Sequence, residues 1–193
     1  MARKQLRLCI VAKSGCGKST AAKLMVQRFE DLGLRATIHK LAEPLYEIQS
    51  VIYRKAGHPI EFYQQDQLLL EEIATAMRRI DPESLVRDFL ERITGATEDV
   101  ILNDDLRDAD TDAPRLRTEG FRILRIVAPE SVRMARLGKR QDLATVSKTP
   151  LDAQLERISA DWELENGSDA LEQFEHRVHR FVDRMLETSS LGD

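Results

Sequence analysis

The strongest chemical signal in the chain is the run Ala12-Lys13-Ser14-Gly15-Cys16-Gly17-Lys18-Ser19-Thr20. Gly15 and Gly17 let the backbone curl tightly enough to aim several N–H groups at one point, and Lys18 with the hydroxyls after it completes a cradle for a polyphosphate. The pattern is that of a Walker A turn, with Ala12 in the place of the usual first glycine. The backbone of Lys13 to Gly17 is expected to wrap the phosphates of ATP. Lys18 is expected on the β- and γ-phosphates, the Ser19 hydroxyl on Mg2+ and Thr20 on the α-phosphate. Cys16 stands beside a helix start and a lysine, both of which lower a thiol pKa. The favoured expectation is that the position points away from the phosphates and tolerates many residues.

A second candidate lies at Asp99-Val100-Ile101-Leu102-Asn103-Asp104-Asp105-Leu106-Arg107, where an apolar run ends in paired carboxylates. Open α/β sheets bind ligands at such strand ends. Asp105 suits Mg2+, directly or through water, or the orientation of an attacking oxygen, and Arg107 can grip an anion that the acids alone would repel. For Asp104 a helix cap or a pairing with a nearby arginine is an equal alternative. Arg133, Arg136 and Arg140 are spaced by three and four, which suits a catalytic cluster or a solvated helix face. Tyr46, Tyr53, Phe62 and Tyr63 offer ring faces for stacking on a base or for packing.

The elements that must position these groups are legible from periodicity. Leu6, Leu8, Cys9, Ile10 and Val11 read as a buried parallel strand entering the glycine-rich turn. Ala22, Leu24, Met25, Val26 and Phe29 recur at helical spacing from Ser19, and Gly33 marks the stop. Further strands are expected at Arg35 to His39, Val100 to Leu102, Phe121 to Val127 and, most weakly marked, Trp162 to Glu165. Helical patterns separate them, which implies a parallel sheet. A closing helix carries Leu171, Phe174, Val178, Val182 and Met185 on one face. Between the second and third strands an insertion of about 44–94 reads as three helices, one starting after Asp81-Pro82, in the place where an acceptor would be held. The polar stretch Gln141 to Pro150, after the arginine-rich helix, reads as a mobile lid of about 136–150.

The chain has 193 residues, 42% of them hydrophobic, enough for one domain over 1–193 with a sizeable core. Its net charge of -4 and pI of about 5.7 exclude a globally basic surface, so polymeric nucleic acid is not an expected partner. Cys9 and Cys16 form neither a metal pair nor a disulfide framework, which fits a reducing cytoplasm. The apolar stretch from Leu6 to Ala12 is short and interrupted by Arg7, so no targeting segment or membrane association is expected.

Taken in order, the Walker turn, Leu41-Ala42-Glu43-Pro44-Leu45, Arg78-Arg79-Ile80-Asp81-Pro82, Asn103-Asp104-Asp105-Leu106-Arg107 and the Arg133/Arg136 pair resemble the deoxynucleoside monophosphate kinase family. Animal-type phosphomevalonate kinases are similar in the same places. The resemblance runs from about Leu8 to Met185. It implies a three-layer α/β P-loop kinase fold with a parallel sheet, a helical acceptor-binding insertion and a lid. It also implies ATP and Mg2+ as cofactors and a small phosphorylated acceptor, most naturally a nucleoside or deoxynucleoside monophosphate, in a monomer or homodimer. By position, Arg78 would contact the acceptor phosphate, Asp105 and Arg107 would face the reaction centre, and Arg133 and Arg136 would lie on the lid-side helix with Arg140 beyond. Glu43 and Tyr46 would touch the acceptor, although relatives more often have aspartate and lysine there. Gly15 and Ser19 stand where phosphomevalonate kinases carry a basic residue and an aspartate, which favours a nucleotide. Two other readings are a kinase of another phosphorylated metabolite and a non-catalytic adenine-nucleotide switch. A GTPase switch fits poorly, since no Asp-x-x-Gly follows the turn and no Asn-Lys-x-Asp occurs.

Overall fold

The alternation of apolar residues along the first strand decides the layering. In β1 (Leu6–Val11) Leu8 and Ile10 point to one face of the sheet while Cys9 and Val11 point to the other, and all four are fully buried. A strand buried on both faces must be central, and β1 is: the sheet order is β2-β3-β1-β4-β5, with β2 at Ala36–Ile38, β3 at Val100–Asn103, β4 at Arg122–Val127 and β5 at Trp162–Glu165. Every pairing is parallel, with Cys9 opposite Asn103 and Val11 opposite Arg125. The computed structural model describes residues 5–138, 150–167 and 170–190.

Helices cover both faces, giving three layers. On the Leu8 side lie α1 (Lys18–Asp31), through Met25 and Phe29, and α8 (Leu171–Ser190), through Phe174, Val178 and Val182. On the Cys9 side lie α4 (Ser84–Arg92), α5 (Asp112–Thr118) and α7 (Pro150–Arg157), contributing Phe89, Leu116 and Leu155 to a second core. α6 (Glu130–Leu137) follows β4 and buries no residue fully. α1 ends as its sequence dictates. Gly33 takes a φ of 75°, its N–H bonds the Glu30 carbonyl and the Leu34 N–H bonds that of Phe29, closing a Schellman turn.

The insertion between β2 and β3 holds α2 (Glu43–Lys55), α3 (Gln67–Ile80) and α4. Leu45, Ile73 and Leu85 form a small core where the three meet. The Asp66 carboxylate caps α3 by accepting the Leu69 N–H, and the fully buried Gln49 donates to the Gln64 carbonyl and accepts from the Asp66 N–H. These bonds satisfy backbone groups of the α2–α3 loop that burial would otherwise strand.

The five strands, the three insertion helices and the closing helix fall where periodicity places them. α7 is the element that periodicity did not announce; Leu155, with Ile158 just beyond the helix, is buried in the second core, and that packing selects helix there. Of the expected lid over about 136–150, residues 139–149, with Arg140, lie outside the described residues, while Arg136 and Leu137 end α6 and Pro150 opens α7. No helix among the described residues is long and apolar enough to cross a membrane. Phe89, fully buried with its ring centroid 5.7 Å from that of Phe121, anchors the insertion to the sheet. Phe89→Ala is expected to cost about 3–5 kcal/mol, read from the urea midpoint at unchanged slope.

Candidate active site

The glycine-rich turn joins β1 to α1. Gly15 and Gly17 have φ of 84° and 89°, the left-handed region that a side chain disfavours. The Cys16 N–H donates to the Lys13 carbonyl and the Ala21 N–H to that of Gly17, which tightens the curl. The carbonyls that the curl turns outward are bonded from distant segments. Arg133 Nε donates to Ser14 O at 2.9 Å, Asn166 Nδ2 to Cys16 O at 2.8 Å, and Arg136 Nη1 to Gly15 O and Asn166 O, each at 3.4 Å. There is no room for side chains at the glycines. A Cβ on Gly15 would lie 2.7 Å from the Arg133 carbonyl oxygen, and one on Gly17 would lie 2.4 Å from Asn166 Nδ2.

At the sheet edge, the Asn103 side chain organises the acidic turn. Its Oδ1 accepts from the Asp105 and Leu106 N–H groups, and its Nδ2 donates to the His39 carbonyl and to Asp105 Oδ1 at 2.6 Å. Asp105 then accepts the backbone N–H of Leu41 at 2.9 Å and of Ala42 at 3.0 Å, so its carboxylate fixes the entry to α2. Asp104 is 2% exposed and accepts from the Ser19 hydroxyl and from Lys40 Nζ at 2.5 Å. Burial alone would raise the Asp104 pKa, but Lys18 and Lys40 outweigh it and hold the carboxyl below its usual range.

A cavity of about 370 Å3 runs from Lys18 and Ser19 into the insertion. Leu45, Leu70, Ala74 and Leu85 form an apolar wall, and Tyr46 and Gln65 stand beside it with Gln65 Nε2 donating to the Tyr46 hydroxyl at 2.8 Å. Arg78 and Arg107 reach the same cavity as Lys18. Arg78 is held by a bidentate pair with the buried Asp112, at 3.2 and 2.6 Å. Lys18 and Arg107, by contrast, have no ion-pair or hydrogen-bond partner among the described residues. Burial and the Arg107 charge together lower the Lys18 pKa to about 8. The Asp104 and Asp105 charges offset only part of the repulsion between these two cations, and an anion between them would relieve the rest.

The remaining expected residues fall elsewhere. Arg133 and Arg136 brace the outer side of the phosphate turn and are not part of the cavity wall. Glu43 accepts from the Tyr63 hydroxyl at 3.2 Å and lies 3.9 Å from Arg92, away from the wall. Tyr63 packs edge-on against Tyr46, and Tyr53 bonds Asp66. Cys16 is 3% exposed in the first core, where burial pushes its thiol up, the opposite of a redox-active cysteine. Ser14 gives its carbonyl to Arg133, Lys13 pairs with Glu156 on α7, and Thr20 is exposed in the first turn of α1. Lys40, Asp112, Gln154 and Asn166 belong to the site region without having been singled out as site residues. Lys40 sits just past a strand end, the signal that marked Asp104. Asn166 showed only as a turn residue before glycine, and nothing local marks Asp112 or Gln154.

Mg2+ carried by a triphosphate fits this edge. The Ser19 hydroxyl and the Asp104 carboxylate are hard oxygen donors already in mutual contact. No group of three or more His, Cys, Asp or Glu among the described residues could hold a metal, and water and phosphate oxygens would complete the shell of a bound Mg2+.

No family model and no curated protein matches the sequence. Solved structures do match in fold. A gluconokinase from Sinorhizobium meliloti 1021 has a TM-score of 0.57 at 16% identity, over 98% of each chain. A shikimate kinase from Bacteroides thetaiotaomicron has a TM-score of 0.58 at 14% identity, over 94% of this chain and 98% of that one. One from Aquifex aeolicus has a TM-score of 0.51 at 16% identity, over 97% and 100%. The chain thus has the fold of P-loop small-molecule kinases; the likeness does not single out phosphomevalonate kinase.

The Lys18 pKa yields a test. Bound triphosphate keeps Lys18 charged, so binding takes up a proton when the empty protein has lost it. ATP affinity is expected to fall about tenfold per pH unit above about 8, with proton uptake seen by calorimetry in buffers of different ionisation enthalpy, and Lys18→Met should abolish this slope. Without nucleotide the sign for stability is opposite. The lowered lysine binds fewer protons folded than unfolded, so its destabilising effect, full below about 8, disappears as pH rises toward the ordinary lysine value.

Proposed function

We propose that the chain transfers the γ-phosphoryl group of ATP to a nucleoside or deoxynucleoside monophosphate. The observation that carries this reading is the pair of unpaired cations, Lys18 from the phosphate turn and Arg107 from the β3 edge, facing one cavity that continues beneath the insertion. The glycine turn would hold the triphosphate through its backbone, with Ser19 and Asp104 toward Mg2+. That ion would supply charge neutralisation of the β- and γ-phosphates. Lys18 and Arg107 are placed to stabilise charge on the transferring group, and Asp105, committed to the Leu41 and Ala42 amides, positions the start of the acceptor helices. With Nη1 shared between Asp112 and the Pro82 carbonyl and one Nη2 hydrogen given to Asp112, Arg78 keeps its Nε and its other Nη2 hydrogen for an acceptor phosphate. The apolar wall with Tyr46 and Gln65 suits a flat base.

A second reading, a kinase of a small hydroxylated metabolite, draws on the acidity of the same cavity. Glu71, Asp104, Asp105, Asp108 and Asp112 all line it, and only Lys18, Lys40, Arg78 and Arg107 oppose them. The solved structures named as gluconokinase and shikimate kinase support the same reading.

A coupled ADP-release assay across the ribo- and deoxynucleoside monophosphates, with gluconate and shikimate included, separates the two. Turnover of at least one nucleotide is expected, and its absence alongside turnover of gluconate or shikimate would replace the first reading by the second. With a working acceptor, Arg107→Ala should lower kcat by roughly 100-fold while the ATP Kd changes far less.

A further inference from the structure

Lys40 lies between β2 and α2. Its backbone is held, because Arg92 Nη2 donates to its carbonyl at 2.6 Å, whereas its side chain is a flexible stem ending in a point charge. That charge rests 2.5 Å from Asp104 Oδ1, on the buried carboxylate that also accepts the Ser19 hydroxyl. The ammonium therefore occupies the acid expected to face a nucleotide-bound metal. A divalent cation arriving there would meet three like charges nearby, those of Lys18, Lys40 and Arg107. Only Lys40 is seated on the carboxylate at hydrogen-bond distance, so Lys40 is the charge that must yield. The cavity beside it leads to Leu41, Ala42 and Tyr46, where the acceptor helices begin.

We infer that Lys40 is a stand-in cation: it neutralises Asp104 until the metal–nucleotide complex binds, and is then released along the cavity to pair with the anionic group of the acceptor. Asp104 exchanges one positive partner for another, so its charge is never left bare. The exchange couples the two substrates, because the acceptor gains a cation only once the donor is seated. The acceptor half rests on the phosphorylated-acceptor reading above; the exchange at Asp104 does not.

The two halves are tested separately on the full chain. Calorimetry of the non-hydrolysable nucleotide AMPPNP, with and without Mn2+, gives the gain in affinity due to metal for wild type, Lys40→Met, Lys40→Arg and the double variant Lys40→Met/Asp104→Asn. Removing a competing charge-assisted bond should make that gain about tenfold larger in Lys40→Met. Lys40→Arg should stay near wild type, and the double variant should lose the increase. An unchanged or smaller gain in a Lys40→Met protein that melts cooperatively and binds metal-free AMPPNP overturns the exchange. For the second half, dAMP, dCMP, dGMP and dTMP are titrated with and without Mg2+–AMPPNP. Wild type should bind at least one of them about tenfold more tightly with Mg2+–AMPPNP present, and Lys40→Met should lose that increment. Retention of the increment by Lys40→Met overturns the release step. Failure of wild type to bind any of the four, and equally any of AMP, CMP, GMP and UMP titrated alongside, instead removes the nucleotide-acceptor reading, with the Asp104 result decided independently.

Discussion

A backbone that turns its N–H groups inward to meet phosphates must turn carbonyl groups outward, and those carbonyls cannot be left dry and unpaired. The rest of this molecule is arranged around that requirement. Ser14, Gly15 and Cys16 present their oxygens to Arg133, Arg136 and Asn166, which come from α6 and from the residue after β5, far along the chain. The contact is so close that neither Gly15 nor Gly17 has space for a methyl group. β4 and β5 are therefore more than added strands beside β1, since they deliver the groups that keep the phosphate turn curled. Arginines that a sequence reading assigns to the ligand are used here to hold the loop that would hold the ligand.

The opposite side of the central strand solves a different problem, the assembly of several positive charges in a confined space. Each cation near the cavity has been given a different environment. Arg78 is locked to Asp112, Lys40 is seated on Asp104, and Lys18 and Arg107 are left facing each other. The first two arrangements hold geometry, and the third stores repulsion that an incoming polyanion relieves. Asn103 ties this electrostatic arrangement to the fold, because one side chain shapes the turn that aims both Asp104 and Asp105 and also bonds the His39 carbonyl beyond β2.

Local signals were sufficient wherever a residue's role depended on its immediate neighbours. The glycine turn, the Gly33 stop, the alternation in β1 and the start of α4 after Asp81-Pro82 could all be read directly, and the layered parallel fold follows from their order. Roles fixed by distant partners could not be read. Nothing near Asp112 announces Arg78, nothing near Asn166 announces the Cys16 carbonyl, and α7 is helical because Leu155 and Ile158 dock on a core built from other segments. Lys40 falls between these cases, since its place past a strand end was visible but its contact with Asp104 depends on the β2–β3 pairing.

The small apolar cluster of Leu45, Ile73 and Leu85 stands apart from the two cores that sandwich the sheet, and α4 alone belongs both to it and to one of them. In their apolar packing α2 and α3 form a roof hung from one beam, tied at its edges by the Arg78–Asp112 pair and by the Asp105 bonds to the Leu41 and Ala42 amides. Substitutions in the roof can alter the shape of the cavity beneath it while the beam and the walls keep their own packing, so drift in that shape carries little penalty for the glycine-rich turn.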